Sequence, residues 1–416
     1  MYIKESMKNK PLLLDYTIVF LFICISGNPF FCYWSLSSAV LLFICICCFI
    51  SNHNFSLLKF IESIKLYLLL FISLFCAQNL ICDNISISTQ INYLVKILGA
   101  ALIYYYYNER FRNIYLNIIT FISIVSLIGY IYILMGGEIP NIFGKGFANS
   151  DSIHTVIIYN YDINFNFGRN SGMFWEPGAF ACYLLVTPLF FIDNILLFVK
   201  NNKWKVLFLI CALITTFSTT GYLMLSLYGY LYFKNKYKYS GSIFGIIILL
   251  LIVSTDVVQM KLEKDLSTVE DVSIGEEILY DGYNSANRLG SIFFLLNIIK
   301  DHPFVGNGIN PEALFANNKY LLSIENLGIG NGFFMYIANL GIGGLMIYFL
   351  KIWKNWKNIG TKRFWVLVII TLLLQGEPLL MYPIFIGLPF FISNPNNNLH
   401  YDKTNRLLKV YSRRKL

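Results

Sequence analysis

The stretch GRNSGMFWEPGAFACYLLVTPLFFI, residues 168–192, begins with polar residues and continues as an apolar run. Pro177 suits the first turn of a helix, and the residue before a proline avoids helical geometry, so we expect Glu176 at the helix cap. The apolar run, expected over 175–198, is long enough to span a bilayer. The sequence therefore places an arginine and a carboxylate at the start of a transmembrane helix.

The rest of the chain shares this apolar character. Of its 416 residues, 56% are hydrophobic and only 13% are charged, and the mean hydropathy is +0.59. Such a composition excludes an ordinary soluble domain and is typical of a polytopic membrane protein. The net charge of +9 does not indicate nucleic-acid binding, because the basic residues lie in short loops between apolar runs, where membrane orientation accounts for them.

We expect an all-α fold with about 12 transmembrane helices in a single transmembrane domain over residues 1–416, because apolar runs of about 20 residues recur throughout. The expected spans are 12–27, 32–50, 65–82, 90–107, 113–135, 175–198, 204–219, 220–233, 241–257, 330–350, 363–376 and 379–393. The basic start MYIKESMKNK is interpreted as part of a retained signal anchor. The nine cysteines are interpreted as small core residues, and we expect no metal site.

The positions of Lys and Arg predict the orientation. Cytoplasmic loops of membrane proteins are enriched in these residues. With the N-terminus inside, the expected inner segments hold 24 of the 32 basic residues. The pattern therefore predicts an even number of spans with both termini in the cytoplasm. Of the other eight, seven are expected outside, and Lys96 lies within an expected span, where the sequence shows no partner for it.

Two long segments, 136–174 and 258–329, fall on the outer side in this arrangement, and long structured loops on one face usually carry function. The second contains RLGSIFFLLNIIK, residues 288–300, which is too short to span and suits a helix lying on the membrane surface. Among the eight arginines, Arg169 and Arg288 alone are expected on the outer side.

Guanidinium groups suit phosphate oxygens, and a helix N-terminus favours an anion, so the two outer arginines and the helix start at Pro177 are candidates for a phosphate site. The alternative is that Glu176 caps the helix and Arg169 is its ion-pair partner. His302, in Asp-His-Pro, is a candidate general base, because imidazole titrates near neutrality. The alternative for His302 is a simple turn before a proline.

A third stretch, GIGNGFFMYIANLGIGG at 328–344, opens another expected span. Asn331 is a plausible helix cap, and the glycines permit close helix packing.

In their order and spacing, the three stretches resemble the O-antigen polymerase and ligase superfamily. The resemblance rests on an arginine before Gly-x-Phe-x-Glu-Pro-Gly, an arginine-led segment ending in Asp-His-Pro-Phe-x-Gly-x-Gly, and an asparagine-led span with Gly-Ile-Gly-Gly, over roughly 168–344.

The resemblance implies a metal-independent C-type glycosyltransferase without cofactor, in a bacterial inner (plasma) membrane, with 136–174 and 258–329 as periplasmic loops. Its substrates would be undecaprenyl-pyrophosphate-linked glycans, as donor and acceptor, and its expected partners are a chain-length regulator and a flippase. Arg169 and Arg288 match the pyrophosphate-binding arginines. Glu176 is then the first candidate for the catalytic base and His302 the second. The supporting residues are Pro177, Asn287 and Asn331.

Within the family, the Wzy-type polymerases are the better match. Ligases commonly carry a histidine just before the asparagine that opens the later span, whereas this chain has Gly330 before Asn331. A ligase therefore remains an alternative, as do polymerases of capsule, exopolysaccharide or enterobacterial common antigen. From another class, a flippase or transporter would place its substrate-binding polar residues near the bilayer midplane. The concentration of outward polar groups in two loops favours the enzyme.

Overall fold

A computed structural model describes residues 12–32, 36–51, 56–82, 85–140, 153–162, 168–237, 288–309 and 331–392. The expected span at 241–257 lies outside these ranges, as do Asn287 and most of the second long loop. The described part is mostly helical, which agrees with the helical fold expected from the composition.

The first six helices are α1 (Leu13–Gly27), α2 (Pro29–Cys32), α3 (Leu36–Ser51), α4 (Leu57–Ile81), α5 (Ile87–Tyr107) and α6 (Glu109–Leu134). They are followed by α7 (Pro177–Phe190), α8 (Ile195–Asn201), α9 (Lys203–Thr215), α10 (Thr219–Tyr237), α11 (Arg288–Asp301), α12 (Gly332–Asn355), α13 (Lys362–Gly376) and α14 (Pro383–Gly387). Short 3-10 turns lie at Ile192–Asn194, Lys357–Ile359, Leu379–Met381 and Leu388–Phe390.

Four described helices, α4, α5, α6 and α12, are long and apolar enough to cross a membrane. A fifth span results if α7 and the helical segment Ile192–Asn201 form one broken span, since they are bent by 53° at a short break. Apolar side chains on the long helices stand exposed, among them Leu69 at 61% and Ile128 at 64%. Exposed apolar faces of this extent suit contact with lipid, so the fold has the character of a membrane protein.

Two features differ from the expectations. The described part of the expected span 379–393 does not form one spanning helix, because Pro383 begins a new short helix and Pro389 lies in a separate 3-10 turn that starts at Leu388. The described part also contains a small antiparallel hairpin of β1 (Ile153–Thr155) and β2 (Asn160–Asp162), so it is not purely helical. In the hairpin, Thr155 faces Asn160.

Polar contacts gather at two ends of the helical bundle. At the first, called here the basic end, cations contact acidic or amide groups: Arg110–Asp15 at 2.6 Å, Arg112–Asp193 at 3.5 Å and Lys205–Asn117 at 2.5 Å. At the second, called here the junction, four segments meet: 168–177, 215–220, 331–332 and 375–382. Helices α1, α6, α9 and α13 run from the basic end towards the junction side, and α7 and α12 begin at the junction.

Candidate functional site

The stretch before α7 is held rigidly by Asn170, which is fully buried. Its amide nitrogen donates to Ser126 Oγ at 3.2 Å and to Thr215 Oγ1 at 2.9 Å. Its side-chain oxygen accepts from the backbone N–H of Gly172 at 3.0 Å. These bonds tie the stretch to α6 and to the end of α9, so the residues beside Asn170 occupy defined positions.

The β-hairpin and the end of α1 hold the same stretch from its other side. Asn160 donates its backbone N–H to Gly172 O at 2.7 Å and its side-chain amide to Met173 O at 2.5 Å. Ser171 donates to Asn160 O at 2.6 Å, and the buried Asn28 donates to Met173 O at 2.9 Å. Gly172 adopts a φ of +57°, which disfavours any residue with a side chain. Residues 168–174, which end the first long loop, are therefore held in one folded unit, called here the platform.

Arg169 lies at the edge of this platform, half-buried, and its Nε donates to the carbonyl of Thr216 at 3.1 Å. Thr216 belongs to the tight connection between α9 and α10. The ion pairs among the described residues are those of the basic end, so Arg169 does not pair with Glu176. The alternative in which Glu176 caps the helix and Arg169 is its partner therefore gains no support from a described ion pair.

Glu176 occupies the predicted N-cap position of α7, with extended backbone at φ −154°, and Pro177 follows in the first turn as expected. Only the backbone of Glu176 serves the helix, since its carbonyl accepts from Phe180 N at 3.1 Å and its carboxylate makes no capping hydrogen bond. The carboxylate is half-buried at the junction. The helix thus leaves this group available for another role.

Asn331 forms the predicted cap of α12, because its side-chain oxygen accepts from Phe334 N at 3.1 Å. Its amide nitrogen donates to Gln375 Oε1 at 2.7 Å, which brings the end of α13 against the start of α12. Gly332 is packed so closely here that an added Cβ would lie 1.8 Å from the Glu377 carbonyl oxygen. This contact requires glycine and fixes the position of the Glu377 backbone.

The remaining contacts close the junction. The Trp175 ring stacks on Tyr382 with centroids 4.6 Å apart. Gly376 lies against Thr220, whose side chain would be 3.6 Å from an added Cβ. The contacting segments of the junction therefore contain Arg169, Glu176, Pro177 and Asn331 from the sequence prediction, together with Glu377, which is only 5% exposed.

Lys96 has a partner that the sequence did not reveal. Its Nζ donates to the carbonyl of Met381 at 3.3 Å, and Tyr93 on the same helix donates to Leu380 O at 3.2 Å. These bonds satisfy carbonyls in the irregular segment after Pro378, where no helix supplies the hydrogen bonds. Lys96 thus helps to hold the 375–382 side of the junction, and the expectation of a cation without an evident partner is corrected.

The Asp-His-Pro turn follows α11 and enters a break in α12. At Gly341, with φ +67° and ψ 177°, the helix is interrupted. The N–H groups of Ile342 and Gly343 donate to the carbonyls of Pro303 and Phe304 at 2.8 and 2.9 Å. An added Cβ on Gly341 would lie 2.2 Å from the Phe304 oxygen. The turn is thus docked backbone against backbone.

Gln78 of α4 completes this docking. Fully buried, it donates to Val305 O at 2.6 Å and to Asn339 O at 2.8 Å. Its side chain therefore bonds both the inserted turn and the broken helix. A glutamine in a predicted span gave no indication of this role, because its partners lie more than two hundred residues away in the chain.

His302 begins the docked turn, where its carbonyl accepts from Gly306 N at 2.8 Å. Its imidazole is half-buried and bonds to none of the described residues. The docked turn enters α12 at a break near Asn339, which lies eight residues and about 12 Å along the helix from Asn331 at the junction. No described contact joins His302 to Arg169 or Glu176. Arg288 begins α11 as predicted, but its side chain lies outside the described part.

Sequence reasoning missed Glu377, although one local feature points to it. Gly376-Glu377-Pro378 repeats the Glu-Pro pair of 176–177 between two short apolar runs. Asn170 and Gln78 carried no comparable indication, because their roles depend on distant partners. No protein-family model matches the chain, and no curated protein matches it.

Proposed function

We propose that the protein is an O-antigen polymerase: a glycosyltransferase that joins undecaprenyl-pyrophosphate-linked repeat units into O-antigen or a related surface polysaccharide at the periplasmic face of the inner membrane. One observation carries the proposal. Arg169 and a Glu176 carboxylate that α7 does not use belong to one rigidly held stretch at the start of an apolar helix. A cation and a carboxylate so placed match the two demands of glycosyl transfer from a pyrophosphate.

The first demand is to stabilise the leaving group. Breaking the anomeric bond to pyrophosphate develops negative charge, which fixed cations and dipoles stabilise best when they are preorganised. Arg169 is held by Thr216 and by the network of Asn170, so it needs little reorganisation. The N-terminus of α7 adds its positive end. Arg288 is the second pyrophosphate ligand in the proposal.

The second demand is to accept the proton of the attacking hydroxyl. Glu176 is the first candidate for this general base and His302 the second. The uncapped carboxylate supports Glu176, whereas the docked turn supports a positioning role for the residues around His302. Attack on the side opposite the pyrophosphate inverts the anomeric centre.

The proposed topology has about 12 crossings, two periplasmic loops and cytoplasmic termini, since apolar runs of spanning length recur along the chain. The last of these runs, 379–393, would cross as consecutive short turns and not as one helix. The two polar ends of the bundle support it. Segments assigned to the outer side by their low content of basic residues meet at the junction, and those assigned to the inner side meet at the basic end. This grouping of helix ends supports the orientation proposed from the positions of Lys and Arg.

A silver-stained lipopolysaccharide ladder from a strain deleted for the gene tests this function. A polymerase deletion leaves core plus a single repeat, and the wild-type gene restores the ladder. Bare core in the deletion would indicate ligation or flipping instead. An unchanged ladder would contradict an O-antigen role and direct the same assay to capsule, exopolysaccharide or common antigen.

Complementing this deletion with Arg169→Ala tests the site. We expect no polymer from normal amounts of membrane-embedded protein, because the variant loses the cation at the platform. Arg169→Lys should also fail, since one point charge replaces a planar fork of donors. Arg363→Ala is the matched control: this arginine stacks on Trp353 away from the junction, with 4.2 Å to the ring centroid. A full ladder from Arg169→Ala would refute the assignment.

A further inference from the structure

The end of α9 lies directly against the platform. A helix leaves the carbonyls of its last turn without partners inside the helix. Three consecutive carbonyls here accept hydrogen bonds from outside α9: Ile214 O from the Tyr222 hydroxyl at 2.7 Å, Thr215 O from the Asn170 N–H at 2.9 Å, and Thr216 O from Arg169 Nε at 3.1 Å. The platform and the start of α10 are therefore bound to the same short segment.

This segment restricts the orientation of the Arg169 side chain. The Nε–H bond lies in the plane of the guanidinium, so a hydrogen bond from Nε to Thr216 O limits how that plane and its two terminal nitrogens can turn. The carbonyl end of a helix also attracts a cation. Tyr222 lies within electrostatic reach of Arg169, which places it in the same cluster. The direction of the Thr216 carbonyl therefore sets the orientation of the guanidinium.

Phe217 holds the connection between α9 and α10 in an uncommon conformation. Its φ is +46°, in the left-handed region, and its N–H donates to Ile214 O at 3.2 Å. Glycine is the usual residue at this position after a helix. A side chain here costs free energy, and residues kept in such conformations cluster at functional sites. Because a side chain also narrows the backbone conformations open to the residue, Phe217 keeps the connection more rigid than glycine would.

The start of α10 fixes the other side of the connection. The Ser218 N–H donates to Thr216 Oγ1 at 3.3 Å, and Ser218 Oγ accepts from Gly221 N at 3.2 Å in the first turn of α10. Thr216 itself is fully buried. The Tyr222 hydroxyl then ties this first turn back to Ile214. Both ends of the connection are thus held, with the carbonyl that binds Arg169 between them.

Resting on the proposed function, we propose that Phe217 and Tyr222 are positioning residues for the pyrophosphate: they fix the connection whose Thr216 carbonyl orients the Arg169 guanidinium. Neither residue needs to touch the substrate. Charge develops on the pyrophosphate as the anomeric bond breaks, and a preorganised cation stabilises that charge best. A guanidinium that turns away from its place therefore lowers kcat more than it raises KM.

The test uses the purified full-length protein in detergent and the undecaprenyl-pyrophosphate-linked repeat unit isolated from a strain deleted for the gene. Phe217→Ala and Phe217→Gly both remove the ring, but only glycine frees the backbone and adopts a positive φ without cost. We expect the glycine variant to unfold at the same or a higher temperature than the alanine variant, and yet to have a kcat about 10-fold lower. A role in stability alone predicts that activity follows the unfolding temperature.

Asn108→Ala and Asn108→Gly form the matched control pair. Asn108 has a φ of +45° between α5 and α6, two residues from Arg110 at the basic end. Glycine should again be the more stable choice, but the two variants should have equal kcat. Equal kcat in the two Phe217 variants would overturn the proposal, and so would a difference in kcat between the Asn108 variants as large as that between the Phe217 variants.

Tyr222→Phe tests the second residue by removing only the hydroxyl bonded to Ile214. Loss of one buried hydrogen bond should lower kcat by about 5-fold. Tyr228→Phe is its control, since that hydroxyl donates to Leu185 O at 2.9 Å from the same helix, and its kcat should stay near the wild-type value.

If the Phe217 variants are lost from the membrane, the tyrosine pair decides: lowered kcat in Tyr222→Phe alone supports the positioning role, and equal kcat in the pair refutes it. Normal extension by the wild type with equal kcat in each pair would refute the positioning role and leave the proposed function standing. A wild type that extends no glycan would refute the proposed function itself.

Discussion

The hydrogen bonds of the platform before α7 predict how strongly a substitution there lowers activity. Replacing Asn170 with alanine removes two bonds donated to Ser126 and Thr215 and one accepted from Gly172. At about 1 kcal/mol for each buried bond, the ordering of this stretch loses about 3 kcal/mol. Because Arg169 is its neighbour, a loss of this size lowers kcat/KM for glycan extension by as much as about 100-fold.

The assay measures extension by purified protein beside its thermal unfolding in detergent. Asn117→Ala is the matched control, because Asn117 bonds Tyr16 and Lys205 at the basic end. Losing those two bonds costs about 2 kcal/mol in stability but should leave kcat/KM near the wild-type value. Equal losses of activity in the two variants, or full activity in Asn170→Ala, would refute the claim that the platform positions the site.

The docked turn gives two further predictions. Gly341→Ala places a Cβ 2.2 Å from the Phe304 oxygen at a φ of +67°, so it should lower the free energy of unfolding by at least about 2 kcal/mol. The control is Gly360→Ala, where φ is +60° and the space around the residue is open, so it measures the backbone cost alone. An equal loss of stability in both variants would contradict the docking. Gln78→Leu keeps the volume but loses the bonds donated to the carbonyls of Val305 and Asn339, so it should cost about 2–3 kcal/mol and allow faster amide exchange in the turn. Unaltered exchange would show that Gln78 does not hold the turn.

Local chemistry made the helix starts predictable. A proline after Glu176 fixes φ in the first helical turn, and Asn331 offers a side-chain oxygen to the N–H groups of α12, so each position follows from a few neighbouring residues. Long apolar runs were equally informative: 90–107 and 113–135 were expected, and the helices span Ile87–Tyr107 and Glu109–Leu134.

Tertiary contacts determine the two features that the sequence did not reveal, the division of segment 379–393 and the docking of a turn into α12. Segment 379–393 is apolar enough to resemble a span, but its prolines divide it into short turns whose carbonyls bond Tyr93 and Lys96. Hydropathy reports composition over a window and is insensitive to such interruptions. The glycines of 328–344 were expected to permit close helix packing. The structure instead uses the positive φ angles of Gly341 and Gly306 to dock a turn into a broken helix.

The central claim is that this chain transfers a glycan between two lipid pyrophosphates, and one measurement tests it directly. Purified protein is incubated with a single substrate, the undecaprenyl-pyrophosphate-linked repeat unit, and both products are quantified. The account predicts glycans of two or more repeats on lipid, with one free undecaprenyl pyrophosphate released for each bond formed, and neither product from Arg169→Ala. Release of lipid pyrophosphate without longer glycans, or equal extension by Arg169→Ala, would contradict it.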